Sequence, residues 1–346
     1  MNSTTTGVAL VGYGYWGANL ARNIVAAENL RLIGVVDSSQ EQRKAAEEAI
    51  QALRTWGTLQ EALDDADVQA VVLATPAGTH ASLALHVLAS GRDVLVEKPL
   101  ALTVKEAEQV ASAAEASGRI VMVGHTFLYS TPVLRLREYL HANDLGKVHY
   151  LYSQRLSLGR IRRDCSALWN FAPHDVSIML YLLGDRPVEV SGRGFSFLQQ
   201  GIDDVVFASM QFASGVGANL HLSWIDPRKV RLLTIVGDEK MAVYDDVATD
   251  RPITIYDAGV AKSETPGFGE YQSMGDFQWR TRSGDISIPR VPLVEPLLSQ
   301  MRAFGEACQT RELPLTNVQH GWEVVRVLDA IDRSCRKNGA PVRIKW

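Results

Sequence analysis

Three glycines constrain this chain more than any other feature. In the stretch GVALVGYGYWGANLARNIV (residues 7–25) a run of β-formers enters Gly12, Gly14 and Gly17 and leaves as a helix. In such a strand–turn–helix the first glycine permits the tight turn, the second lets backbone approach a pyrophosphate, and the third lets helix and strand pack closely. Peptide N–H groups at the helix N-terminus then face the phosphates. A bare GxGxxG also occurs as a turn without ligand. Here the next apolar strand, LIGVVD, ends in Asp37, where an acid can reach the adenosine ribose hydroxyls of a dinucleotide. A carboxylate there repels the 2′-phosphate of NADP, and Ser38 and Ser39 add no guanidinium. NAD is the expected cofactor and NADP the less favoured one, although Arg43 and Lys44 on the following helix could reach around.

From Gly7 to about Val123, short apolar strands alternate with helical stretches: VALVG, LIGVVD, AVVLATP, DVLVEKP and IVMVGH, separated by segments such as Gln40 to Leu53, His80 to Ser90 and Val104 to Ser117. That alternation implies right-handed βαβ units and a parallel sheet covered on both faces, an α/β doubly wound domain over residues 1–125. After about Phe127 the texture changes. Longer segments with partial alternation and glycine or aspartate turns, such as KVHYLYSQRLSL and DVVFASMQFASGVGANLHLSW, predict an open, mostly antiparallel sheet. One helix from about Trp169 to Leu183 interrupts them. Residues 260–292 read as an irregular excursion, two helices follow over about 295–310 and 318–338, and PVRIKW reads as a final strand. Residues 126–346 are thus expected to form a second, α+β domain.

Composition bounds the partners. The 346 residues carry 46% hydrophobic side chains and a formal net charge of −4, so nothing general draws the chain to nucleic acid or to a membrane surface. Any anion site must be local. Cys165, Cys308 and Cys335 are scattered and odd in number, which fits neither a disulfide framework nor a zinc site, and no metal is expected. The polar lead Met1 to Thr6 has no features of a signal peptide, and no apolar run approaches the roughly 18 residues of a membrane span. The expected location is the cytoplasm.

At the end of the strand DVLVEKP, Glu97-Lys98 precedes Pro99, and the carboxyl ends of strands are where open α/β sheets bind ligands. Beside a positive nicotinamide, and partly desolvated, a lysine ammonium is disfavoured and its pKa falls toward working pH. Lys98 could then exchange a proton. A surface lysine paired with Glu97 is the plainer alternative.

The ordered motifs GYGYWG (with Tyr15 and Trp16), ATPAGTH (Ala74 to His80), EKP and VGH (Val123 to His125), with the strand-rich second half, resemble the glucose-fructose oxidoreductase, inositol 2-dehydrogenase and MocA family over nearly the whole chain. The resemblance implies a nicotinamide-binding Rossmann domain and a C-terminal domain whose open sheet serves homodimer or homotetramer contacts. It implies that Thr75, Pro76, His80, Glu97 and His125 line the nicotinamide end and that Lys98 contacts both substrate hydroxyl and cofactor, with a Lys98–Pro99 peptide that is often cis. In SALWNFAPHDVSIMLYLLG, His174 matches the histidine that similar enzymes place beside the reacting carbinol, where an imidazole exchanges protons near neutral pH. Many relatives carry an aspartate four residues earlier. This chain has Asn170, which can hold a hydroxyl or orient His174 but cannot take up a proton. Lys98 and His174 are left as the proton-handling pair, and Asp175 reads as structural.

Within that family, RLSLGRIRRDCSALWNFAPHD is most similar to the branch acting on nucleotide-linked sugars such as UDP-N-acetylglucosamine. Arg155, Arg160, Arg162 and Arg163 concentrate just before the active-site helix, and guanidinium groups bind diphosphates through paired hydrogen bonds. A solvated or subunit-facing loop is the alternative reading, and Trp169 could stack on a sugar or belong to the core. The expected reaction is NAD-dependent oxidation of a ring secondary alcohol at C3, the hydride passing to the nicotinamide. Alternatives are an NADPH-dependent 3-ketosugar reductase, a dehydrogenase of a free hexose, inositol or aminoglycoside, and a non-catalytic nicotinamide-binding sensor.

Overall fold

A computed structural model of the chain describes residues 5–159, 161–262 and 279–346. They divide into two compact units, the first made of residues up to 130 with 176–178 and 294–329, the second of 131–175, 179–293 and 330–346.

The first unit opens with β1 (Thr6–Val11), α1 (Tyr15–Ala26), β2 (Leu30–Val36), α2 (Gln40–Ala49), β3 (Arg54–Trp56), α3 (Leu59–Leu63), β4 (Ala70–Leu73), α4 (His80–Ala89), β5 (Asp93–Val96), α5 (Val104–Ser117) and β6 (Val121–Val123). All six strands are parallel, in the order β3-β2-β1-β4-β5-β6. Every residue of β1, β4 and β5 is buried, as strands covered on both faces require. The order reverses between β1 and β4, and in such sheets that switch point opens the ligand crevice above the carboxyl ends of the strands.

The second unit contains α6 (Thr131–His141), β7 (Val148–Leu158), most of α7 (Ala167–Leu183), β8 (Pro187–Phe195), β9 (Val205–Phe212), β10 (Gly217–Ser223), β11 (Ile225–Gly237), β12 (Met241–Asp245), β13 (Ile253–Lys262) and β14 (Trp279–Ser287). With β15 (Val342–Arg343) their sheet has the order β14-β13-β12-β11-β7-β10-β9-β8-β15, with only β7 and β10 parallel among the paired neighbours. Alternation along β9, where Val206, Ala208 and Met210 are buried and Phe207 is exposed, leaves one face outward. The expected excursion over 260–292 differs at its flanks, which are the paired strands β13 and β14. Its middle, residues 263–278, lies outside the described residues.

Two helices follow, α8 (Pro296–Thr310) and α9 (Val318–Cys335), and then β15 (Val342–Arg343). Residues 294–329 cluster with the first unit, although the boundary read from sequence puts them in the second. The reason is apolar burial: Leu297, Met301 and Phe304 of α8 join the core cluster formed by Val8, Leu20, Ile24 and Met122.

Candidate active site

The glycine turn is built as its sequence requires. Gly12 has φ +94°, and a Cβ there would lie 2.7 Å from the carbonyl oxygen of Ala74, while one on Gly17 would lie 2.1 Å from the carbonyl oxygen of Gly12. Both are closed to any larger residue. Gly14 is different: its Cβ would meet nothing within 4 Å. Packing does not require that glycine, so the space before it is left for a ligand. Gly14 is also the N-cap of α1 and supplies no side-chain partner to the first N–H groups of the helix. Tyr15 and Trp16 stand exposed on its first turn.

Asp37 follows β2 and is held by two donors. Its Oδ2 accepts the Tyr13 N–H at 2.8 Å and its Oδ1 the Ser39 N–H at 2.8 Å, which fixes the carboxylate beside the turn. Arg43 does reach back, donating from Nη1 to the carbonyl oxygens of Asp37 at 2.6 Å and Ser38 at 3.2 Å. The acid expected to meet the ribose thus stands next to a guanidinium. The room for a Cβ at Gly14, the open helix end and the anchored acid fit the pyrophosphate and ribose of a dinucleotide.

The carboxyl ends of β4, β5 and β6 bring Thr75, Pro76, Glu97, Lys98 and His125 to the same edge of the sheet. His80, 1% exposed, joins two of these ends: its Nδ1 lies 2.7 Å from the carbonyl oxygen of Pro99 and its Nε2 2.9 Å from that of Thr75. The Lys98–Pro99 peptide is cis. Glu97 is buried, accepts the Lys98 N–H at 3.3 Å and faces the Trp16 side chain, and burial pushes its carboxyl above the usual range. A Cβ on Gly124 would lie 2.9 Å from that carboxyl, so the glycine makes its room. Lys98 is close enough to His80, Glu97 and His125 to bias the protonation of all three.

His125 is 1% exposed and, among the described residues, neither ring nitrogen has a hydrogen-bond partner. Burial, then His320, then Lys98 hold it well below the ordinary histidine range. His320, on the first turn of α9, meets it edge-on with ring centroids 5.4 Å apart, and burial pulls its own pKa down to about 4. Sequence reasoning missed His320 and Gly124. The spacing of His320 within an amphipathic helix signals nothing beyond the helix itself.

In the second unit α7 carries Trp169, Asn170 and His174, all partly buried. The arginine cluster does not act as one anion site. Arg155 is 6% exposed and forks onto Asp175, with Nε to Oδ2 at 2.7 Å and Nη2 to Oδ1 at 3.2 Å. Its expected role as a phosphate ligand gives way to an ion pair, because both of those donor directions are committed inside the unit. Arg162 pairs with Asp164. Arg163 is exposed, and Arg160 lies outside the described residues. Among the described residues no group of three or more His, Cys, Asp or Glu could hold a metal ion, and no helix is long and apolar enough to cross a membrane.

Residues 6–125 match the family model described as "Oxidoreductase family, NAD-binding Rossmann fold", and residues 133–243 match that of the GFO/IDH/MocA C-terminal domain. The chain belongs to the GFO/IDH/MocA oxidoreductase family. Residues 6–125 are its NAD-binding Rossmann domain. Among family relatives, a 2,7-anhydro-N-acetylneuraminate hydratase of Mediterraneibacter gnavus is 29% identical over 60% of this chain and 59% of that protein. A UDP-N-acetylglucosamine 3-dehydrogenase of Acidithiobacillus ferrooxidans is 28% identical over 69% of this chain and 73% of that protein. In solved structures, GenD2 from gentamicin A biosynthesis, in complex with NAD, superposes with a TM-score of 0.82 at 25% identity, covering 99% of this chain and 97% of that one.

Proposed function

We propose that the protein oxidises a secondary hydroxyl of a sugar or related polyol with NAD. The observation that supports this reading most is the position of Lys98: it follows β5 on the edge that also bears the glycine cradle, amid His80, Glu97 and His125. Gly12, Gly14 and Gly17, with Tyr15 and Trp16 beside them, hold the pyrophosphate end, and Asp37 holds the ribose. Thr75, Pro76, Glu97 and His125 border the nicotinamide, while His80 keeps the β4 and β5 ends in register. A nicotinamide held there would supply the two-electron acceptor for the hydride of the carbinol C–H bond. Lys98 accepts the hydroxyl proton, aided by His174, while Asn170 and Trp169 orient the ring. Positioned proton transfer of this kind contributes about 10²–10⁴-fold, and the orientation of two bound reactants more.

For the substrate, the nucleotide-linked form of the proposal, with oxidation at C3 as in a UDP-N-acetylglucosamine 3-dehydrogenase, now rests on Arg160 and Arg163. The engagement of Arg155 and Arg162 by Asp175 and Asp164 favours a second reading, a sugar, inositol or aminoglycoside without a diphosphate. We also assign the enzyme to the cytoplasm and a second copy to the outward face of the second sheet, where Tyr150, Tyr152, Phe195 and Phe207 are exposed.

The test is incubation of the purified protein with NAD⁺ or NADP⁺ and a panel of UDP-sugars, free hexoses, inositols and aminoglycosides, with products read by mass spectrometry. Loss of two hydrogens from one compound, with NAD⁺ reduced, supports the proposal and names the substrate class. Gain of one water with no net reduction, as the hydratase relative's name suggests, contradicts the oxidation. So does the absence of any product across the panel.

A further inference from the structure

Helix α7 carries His174 across its own weak point. Pro173 lies inside the helix and has no N–H for the carbonyl of Trp169 one turn earlier. A proline at an interior position costs a helix about 3 kcal/mol, so the turn bearing the imidazole needs holding from outside. Asp175 provides the attachment. It is 4% exposed, and besides the Arg155 fork its Oδ1 accepts the Ser153 Oγ–H at 2.6 Å. Ser153 and Arg155 are two residues apart on β7 and therefore share the face of the strand on which Asp175 is met. Behind them Asp246, which accepts the Tyr244 O–H at 2.8 Å and an Arg231 N–H at 3.1 Å, adds further negative charge to compensate Arg155.

Stability alone does not account for this pair. Two charges removed from water lose about as much solvation as their attraction returns, and apolar residues of equal volume commonly serve as well or better. What a guanidinium–carboxylate fork adds is direction, because two parallel N–H···O bonds fix both planes. We propose that Arg155 and Asp175 are positioning residues that pin the proline-weakened turn of α7 to β7 and so set the direction of the His174 imidazole. The inference rests on His174 handling the proton in the proposed reaction.

The experiment compares the full-length protein with Asp175→Asn, Arg155→Lys, the apolar double variant Arg155→Met/Asp175→Leu, and His174→Ala. Long-range ¹H–¹⁵N spectra of the histidine side chains read the tautomer and order of His174, assigned by its loss in His174→Ala. Thermal midpoints, NAD⁺ dissociation constants, and kcat and KM on a sugar from the panel complete the set. In Asp175→Asn and Arg155→Lys the His174 signals move or broaden, the NAD⁺ dissociation constant stays at the parent value, and kcat falls by about a hundredfold, the scale on which a misplaced reacting group is felt. The double variant recovers the thermal midpoint and not kcat. Unchanged His174 signals in Asp175→Asn, or a double variant that recovers both stability and kcat, overturns the inference. If His174→Ala itself keeps the parent kcat, the assignment of His174 is what fails, and the inference fails with it.

Discussion

The imidazole of His80 stands 2.7 Å from the carbonyl oxygen of Pro99, and its other nitrogen faces the carbonyl of Thr75. A neutral ring can donate to only one of them. Burial and Lys98 favour the neutral form, the two carbonyls favour the charged one, and burial is the largest influence. In either form His80 ties the β4 turn to the segment that presents Lys98. Replacing it with Phe keeps a planar ring, though a somewhat larger one, and removes the donor. His80→Phe is expected to lose about 1–3 kcal/mol in urea unfolding, the cost of a buried carbonyl left unpaired. It should also lower kcat more than it weakens NAD⁺ binding. A variant with parent stability and kcat would deny the tie.

Gly14 and Gly17 predict opposite failures. A methyl on Gly17 would run into the Gly12 carbonyl, whereas one on Gly14 has open space. Gly17→Ala should therefore lower the melting temperature sharply. Gly14→Ala should keep it within a degree or so, since an N-cap exchange of this kind costs about 1 kcal/mol or less, and should still lose NAD⁺ affinity by about tenfold or more because the methyl occupies the pyrophosphate space. Calorimetry and NADH fluorescence titration separate the two, and equal NAD⁺ affinity in Gly14→Ala would argue against the cradle.

In the proposed cofactor site Asp37 and Arg43 act on cofactor choice in opposite directions. Losing hydrogen bonds to a charged carboxylate costs about 1.5–3 kcal/mol, so Asp37→Ala should weaken NAD⁺ binding by roughly ten- to a hundredfold. It also removes the charge that repels the 2′-phosphate and leaves the Arg43 guanidinium beside it. NADP⁺ affinity should rise in Asp37→Ala and fall again when Arg43→Ala is added. A rise that persists without Arg43 would show another cation at work.

Three buried histidines make the fold acid-sensitive. His80, His125 and His320 all have folded-state pKa values below the ordinary value, His320 at about 4. The unfolded chain therefore binds protons that the folded one refuses. For each of these histidines stability is complete above about pH 6.5 and is lost as the pH falls; for His320 the loss runs toward pH 4 at about 1.4 kcal/mol per pH unit. His320→Gln should reduce the slope of unfolding free energy against pH by about that amount, with His80 retaining its share and His125, relieved of His320, losing part of its own. An unchanged slope in chemical denaturation between pH 7 and pH 5 would mean that His320 is charged in the folded state.

What could be read from the chain follows the reach of each signal. Gly12 and Gly17 were legible because the requirement for glycine is local, imposed by a turn a few residues long. The placement of Asp37 and Lys98 just after β2 and β5 was legible because each closes a short apolar strand. Arg155 was misread because a cluster of guanidiniums in sequence does not reveal which one faces inward; its partner Asp175 lies 20 residues away. His320 was invisible since it meets His125 across 195 positions of chain and carries no motif of its own. The return of α8 to the first core has the same cause: an amphipathic helix announces an apolar face without naming its destination.

The measurement closest to the central claim is made on Lys98→Met, which keeps an unbranched apolar stem and removes the proton-carrying amine. NAD⁺ binding by fluorescence titration and turnover at saturating NAD⁺ and sugar are compared with the parent. The account predicts an NAD⁺ dissociation constant close to the parent value and a kcat lower by about 10²-fold or more, the usual worth of a positioned acid–base group. Parent kcat at saturation, or NAD⁺ binding lost while kcat is kept, would contradict it.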